Sequence, residues 1–579
     1  MSRISELPRR DWRDRAGPFV ARLSALVATD AGRAAGAELR LAQTGILLEG
    51  PALKGCFANA RVGCGKTLAA ALSGLVHRCE RVLVLCPGGI KKETHAHFGK
   101  LATHWQIPPT TLLMSYTDVS NMPRKGESLQ GLFGGLGPQV IVCDEADKLK
   151  NVGPGGSALA NQINDWMVAH PETIFIVLTG TCDVEGLLDY GHLLDWCLRE
   201  RSPLPRTRRE LEDWSEVIDQ GDMTKAQWIC QDLGIPESSS LDEIREAFRE
   251  RLHSAPGVII DDTPYTGVPL TVAVHVLQDP QLEDHFIRLR TLWQRPDGFD
   301  VAGGGQVDED REPDRIAGST IWNVARRMGR GLCYVCDPRP PEAWLLARRG
   351  YFGWVRSQIE SGRFLTEAVA REHAVATGHR AWRAWDEIRD TYTPNQKTLW
   401  LSDACLKWAE DWGRRAPGVI WTDDTAFAVE LARRTGWPYY GSKGYTQDGR
   451  YIEDAPKHNA AGTVIASRRA NSTGRNLQYQ WNRCLFIAPV SKSRDFEQAV
   501  GRFHREGVET WADHVHADVL LTCSEDFGAQ RNMVASARRT ARNIYSQKAA
   551  TLDWPANALP ADGAAFGHVP EIDFGAGPG

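Results

Sequence analysis

The segment CFANARVGCGKTLAAAL (56–72) constrains this chain more than any other. An apolar run ends at Ala60, four residues follow, and Gly65-Lys66-Thr67 then opens a stretch that suits a helix. This is the strand, loop and helix order of a phosphate-binding loop. Glycines at 63 and 65, with Cys64 between them, let main-chain N–H groups approach phosphate oxygens. Lys66 can reach the β and γ phosphates of a nucleotide, and the Thr67 hydroxyl can ligate Mg²⁺. The N-terminus of the following helix adds its positive dipole end. Taken alone, the same letters also describe a glycine-rich turn that binds nothing.

Order along the chain gives the loop its meaning. Downstream, VIVCDEADKLKN (140–151) runs from an apolar strand straight into Asp144 and Glu145. An Asp at a strand end beside a phosphate loop can hold Mg²⁺, and the adjoining Glu can orient or deprotonate an attacking water. RVLVLCPGGIKKET (81–94) reads as a strand broken by Pro87-Gly88-Gly89. Its Lys91 and Lys92 suit a phosphate-backbone contact, although an ordinary strand, turn and helix with exposed lysines has the same pattern. IFIVLTGTC (174–182) is a further strand, ending in Thr179 and Thr181, and LRLAQ (39–43) puts Gln43 ahead of the loop, where its amide can read an adenine edge.

Far along the chain the α/β alternation resumes. APGVIWTDDTAFAVELARRTGWPYYGS (416–442) reads strand, helix, strand, and GTVIASRRANSTGRNLQYQWNRCLFIAPV (462–490) reads strand, glycine loop with Gly474, helix, strand. In DFEQAVGRFHREGVET (495–510), Arg502 and Arg505 are spaced to share a face of a helical turn. The first half of the chain supplies no arginine finger, and such a group stabilises charge on a transferring phosphoryl group.

As an ordered set, these blocks resemble the superfamily 2 helicases and translocases. The resemblance covers roughly residues 36–200 and 398–530. DEAD-box RNA helicases pair their second motif with SAT, PTREL and HRxGRxxR segments, whereas this chain has LTGT, CPGGIKKE and QAVGRFHREG. Those segments, and the KLKN after Asp147, look like the Swi/Snf-type DNA translocases, in a compact phage or prophage-type relative. Departures are Cys182 in place of Pro, Glu509 or Thr510 in place of a terminal Gln, and a loose STGRNLQ.

The resemblance implies an α/β fold with two RecA-like lobes, and ATP and Mg²⁺ as cofactors. Gln43, Gly63, Cys64, Gly65, Lys66, Thr67 and Gln498 would bind ATP, with Thr67 and Asp144 at the metal. Lys66, Asp144, Glu145, Arg502 and Arg505 would be catalytic, with Thr179, Thr181 and Gly474 coupling residues. The expected divisions are an N-terminal helical extension (1–35), a first lobe (36–199), a mostly helical, aromatic-rich insertion (200–397), a second lobe (398–530), and a C-terminal helix with an acidic tail (531–579).

Within the insertion, Arg residues alternate with Trp, Tyr and Phe in IWNVARRMGRG, AWLLARRGYFGWVR and HRAWRAWDEI. Most of those aromatics read as helical core. Arg326, Arg327, Arg330, Arg348 and Arg349 are kept as candidates for contacts with a nucleic-acid backbone. Cys333 and Cys336 form a CxxC without a second ligand pair at metal spacing, so zinc is not expected.

Bulk numbers bound the rest. A chain of 579 residues with 42% apolar and 24% charged residues describes a soluble globular protein of two to four domains. No secretory signal or membrane span is evident, and thirteen scattered cysteines suit reduced thiols, so a cytoplasmic site in a bacterial or phage-infected cell is expected. A net charge of −5 confines basic surface to a local groove. The acidic tail could bind a protein partner. The expected function is an ATP-dependent DNA helicase or translocase holding DNA by its backbone. An RNA helicase or RNA-stimulated ATPase, and an ATP-gated DNA clamp or scaffold that does not move, remain alternatives.

Overall fold

The computed structural model describes residues 3–544, apart from 62, 150–151, 153–156, 181–185, 262, 264–265, 293, 295, 297–314, 362, 365–366 and 473. The described chain divides into two compact units, 3–267 with 535–544, and 268–534. It is an α/β protein built on two six-stranded sheets, every strand pair of which is parallel.

The strands of the first unit are β1 (Gly55–Ala60), β2 (Val82–Cys86), β3 (Leu112–Ser115), β4 (Val140–Asp144), β5 (Ile174–Thr179) and β6 (Val258–Asp261), in the order β3-β2-β4-β5-β1-β6. Their near-continuous apolar runs fit burial on both faces, as parallel sheets demand. On one face, Cys56, Ala58, Val84, Val142, Ile176 and Leu178 pack under the helices Leu41–Leu53 and Lys66–His77. On the other, Phe57, Leu85, Ile141, Cys143, Phe175 and Val177 meet Trp166, Leu193 and Phe248. The period of two therefore turns Asp144 toward the face of the Lys66–His77 helix, and Asn59 and Thr179 toward the opposite face.

The second unit carries β7 (Leu270–Val276), β8 (Leu332–Cys336), β9 (Gln396–Trp400), β10 (Val419–Thr422), β11 (Tyr439–Tyr440), β12 (Val464–Ser467), β13 (Arg483–Phe486) and β14 (Val515–Leu521). Six form the sheet β11-β12-β10-β13-β14-β7, and β8 and β9 make a separate antiparallel pair.

The expected division at 199/200 is not where the chain divides. β6 completes the first sheet against β1, and β7 edges the second sheet against β14. The expected insertion is thus split between the two sheets. Its helical part with Arg and Trp interleaved, Glu342–Glu360, Glu367–Thr377 and Arg380–Ile388, lies between β8 and β9. There Tyr351, Val355, Ala370 and Ala374 form a small core lined by Phe352, Trp354, Trp382 and Trp385. Most of the aromatics are packing residues. The described cysteines are free thiols, and among the described residues no helix is long and apolar enough to cross a membrane.

Candidate functional site

The carboxyl edge of the first sheet carries Lys66, Thr67, Asp144, Glu145 and Thr179. Beyond β1, Gly63 and Gly65 both adopt positive φ, 98° and 81°, a conformation that costs a side-chain-bearing residue about 1–2 kcal/mol. The turn they make delivers the chain into the Lys66–His77 helix, whose first N–H groups have no side-chain cap. An anion at this end would meet main-chain donors and the positive end of the helix dipole.

Lys66 is buried in the turn. Its Nζ donates to the Ala60 carbonyl at 2.7 Å and the Arg61 carbonyl at 3.3 Å, and lies 3.9 Å from Cys64 Sγ. Burial pushes the Cys64 thiol up, against the pull of the Lys66 ammonium. Thr67 follows on the first helical turn, half-buried. Gln43 braces the turn from the Leu41–Leu53 helix. Its Nε2 donates to the Gly65 carbonyl at 3.0 Å, and its Oε1 accepts from Arg40 N–H at 2.8 Å. Both ends of the amide that sequence assigns to adenine are therefore engaged with the protein.

β5 lies between β1 and β4, so Asp144 ends a strand two spacings, roughly 10 Å, from the loop strand. The Asp144 side chain is buried, and Glu145 turns the chain with φ 55°. Thr179 ends β5 in register with Asn59, buried, its Oγ1 without a hydrogen-bond partner among the described residues. Thr181, the second expected coupling residue, lies outside the described residues.

Three contributors had no signal in the sequence. Arg40 donates from Nη1 to the Gly63 carbonyl. Asp261 ends β6 beside Ala60 and accepts Arg61 N–H on its main-chain carbonyl at 3.0 Å. Tyr116 donates its hydroxyl to the Asp144 carbonyl at 2.8 Å. An isolated Arg, Asp or Tyr is too common to mark a site without the sheet order that brings it there.

In the second unit, the helix Ser493–Val500 ends before Arg502, and residues 501–506 form turns. The helical face expected to carry Arg502 and Arg505 is not formed. Arg502 is buried, with Nε donating to the Ser472 and Gln498 carbonyls at 2.9 and 3.0 Å and Nη1 to the Arg475 carbonyl at 3.1 Å. It ties the loop of Gly474, whose φ is 71°, to the end of that helix. Gln498 is buried on the same helix, and Arg505 is half-buried.

The basic candidates separate by their partners. Lys91 Nζ is paired with Asp118 Oδ2 at 2.8 Å, and Lys92 is exposed. Arg326 is engaged within the protein instead of facing a polymer: its Nε meets the fully buried Asp526 at 2.7 Å and its Nη2 donates to the Pro489 carbonyl. Arg327 lies over the Tyr334 ring at 5.3 Å, Arg348 over Trp344 and Phe352 at 5.8 and 5.2 Å, and Arg349 is exposed. Arg330 is half-buried near Cys405, whose thiol burial pushes up to about 12 against the pull of Arg330.

Compared by sequence with known proteins, the chain matches no family model and no curated protein.

Proposed function

We propose that this chain is a nucleic-acid-stimulated ATPase with two RecA-like lobes, of the superfamily 2, Swi/Snf-like type, which moves along DNA. The observation that carries the reading is the Lys66 ammonium, seated in a turn of two left-handed glycines at the sheet edge where Asp144 and Glu145 also end a strand.

These residues fit a triphosphate. The uncapped helix start and Lys66 meet its negative charge, and a Cβ at Gly65 would overlap the Gln43 amide, so only glycine keeps the turn tight. Thr67 and Asp144 would hold Mg²⁺, which supplies charge neutralisation at the β and γ phosphate oxygens. Glu145 receives the proton of the attacking water, and Arg505 is the guanidinium assigned to the developing charge, since Arg502 is committed to three carbonyls. LTGT, KLKN and QAVGRFHREG favour DNA as the track, held at its phosphates by groups such as Lys92, Arg327, Arg330 and Arg349.

The test is the ATP hydrolysis rate with no polymer, single-stranded DNA, duplex DNA and RNA, beside Lys66→Ala and Glu145→Gln. Stimulation by DNA that both variants lose supports the reading. Stimulation by RNA alone replaces it with an RNA helicase, and a rate indifferent to every polymer replaces it with a clamp.

A further inference from the structure

The turn that carries Glu145 is held by a residue that follows a different strand. β2 lies between β3 and β4, and Tyr116, the residue that follows β3, passes its side chain across the end of β2 to reach the Asp144 carbonyl at 2.8 Å. That carbonyl belongs to the Asp144–Glu145 peptide, and the next backbone angle is the positive φ of Glu145, 55°. A hydrogen bond to this one peptide therefore holds the backbone from which the Glu145 side chain leaves. Tyr116 is buried, so its phenol is fixed by packing as well.

The position of Tyr116 is fixed in turn. It is the first residue of the helix Tyr116–Asn121, which has a reciprocal cap: Asp118 N–H donates to Ser115 Oγ at 3.0 Å and Ser115 N–H to Asp118 Oδ2 at 2.9 Å. The same Oδ2 accepts from Lys91 Nζ at 2.8 Å. Burial raises the Asp118 carboxyl, but the bonds from Lys91 and Ser115 outweigh it and hold the group at about 2. A Cβ at Gly88 would meet Thr117 Oγ1 at 3.3 Å and Ser115 at 3.8 Å, so the turn after β2 runs close to this cap. Ser115 lies in register with Cys86, whose thiol feels Asp144, Lys91 and Asp118 together. Lys91 thus holds Asp118, Asp118 caps the helix that begins at Tyr116, and Tyr116 holds the Asp144 carbonyl.

We propose that Tyr116 is a positioning residue for hydrolysis, and that the Lys91–Asp118 pair acts on Glu145 through it. The pair holds the cap of the Tyr116 helix, and with it the peptide that leads into Glu145. This rests on the reading of the chain as an ATPase.

The experiment is a double-mutant cycle of Tyr116→Phe and Asp118→Asn, read as kcat and KM for ATP with and without duplex DNA, with thermal midpoints as the folding control. Phenylalanine keeps the ring in its packing and removes only the hydroxyl. One lost hydrogen bond corresponds to about tenfold in rate, so Tyr116→Phe lowers kcat about tenfold with KM within about twofold. Asp118→Asn lowers it about threefold, and the double variant is no slower than Tyr116→Phe. Multiplied effects in the double variant overturn the relay. A Tyr116→Phe enzyme with the parent kcat, in a chain where Glu145→Gln is inactive, overturns the inference alone. A parent chain that never hydrolyses ATP overturns both it and the functional reading.

Discussion

The Gln43 amide donates to the Gly65 carbonyl at 3.0 Å, so the end of the turn and the helix that precedes it are locked together. Gly65 has φ 81°, and an added Cβ would overlap Gln43 Nε2. Gly65→Ala is expected to cost about 2 kcal/mol, from the left-handed backbone and the overlap together. Adding Gln43→Ala removes the overlap and returns part of that loss, a difference that denaturant unfolding of the single and double variants measures.

Glu145, the proposed general base, occupies the left-handed region, and such backbone strain clusters where function needs it. Glu145→Gly is expected to raise the unfolding free energy by about 1 kcal/mol while abolishing hydrolysis. Glu145→Gln keeps the strain, leaves stability unchanged, and lowers kcat by about 10²–10⁴, the usual contribution of a general base. Thermal melts beside steady-state rates separate the two effects.

Arg502 and Arg505 are expected to fail in different ways. Removing the Arg502 guanidinium leaves the carbonyls of Ser472, Arg475 and Gln498 without their donor, so Arg502→Ala costs stability, about 2 kcal/mol or more. Arg502→Lys does not recover it, because one ammonium does not reproduce the planar fork. Arg505→Ala leaves the melting midpoint near that of the parent and lowers kcat about 10³-fold, the scale of an arginine finger. Loss of activity without loss of stability in Arg502→Ala would reverse the assignment.

His77 ends the Lys66–His77 helix with neither ring nitrogen hydrogen-bonded among the described residues, and burial lowers its pKa to about 4. Its folded pKa lies below the unfolded value, so the unfolded chain takes up the proton first. Stability is complete above about pH 6.5 and falls as the pH drops toward 4. One such group adds a slope of at most about 1.4 kcal/mol per pH unit. Unfolding measured between pH 7 and 4 should show a shallower slope in His77→Leu than in the parent, because His192 and His516 are lowered by burial as well.

The strands flanking the turn and the Asp144 strand were legible because parallel strands buried on both faces are written as unbroken apolar runs. The glycines of the turn were legible because left-handed backbone restricts the residue type. The division of the insertion was not. β6 and β7 are short runs whose place depends on pairing with β1 and β14, far away in sequence. Arg502 and Arg505 misled by their spacing, since three residues apart defines a shared face only if the helix continues, and it stops at Val500. Tyr116 and Arg40 reach main-chain carbonyls, and Asp261 accepts on its own, roles that leave no mark on residue type.

The most direct test of the central claim is ATP hydrolysis by the purified chain with duplex DNA present and absent, set against Lys66→Ala. Turnover that rises with DNA and disappears in Lys66→Ala, with the variant still folded, is the result predicted from the ammonium held at Ala60 and Arg61. Turnover that survives in Lys66→Ala, or that no polymer changes, would contradict it.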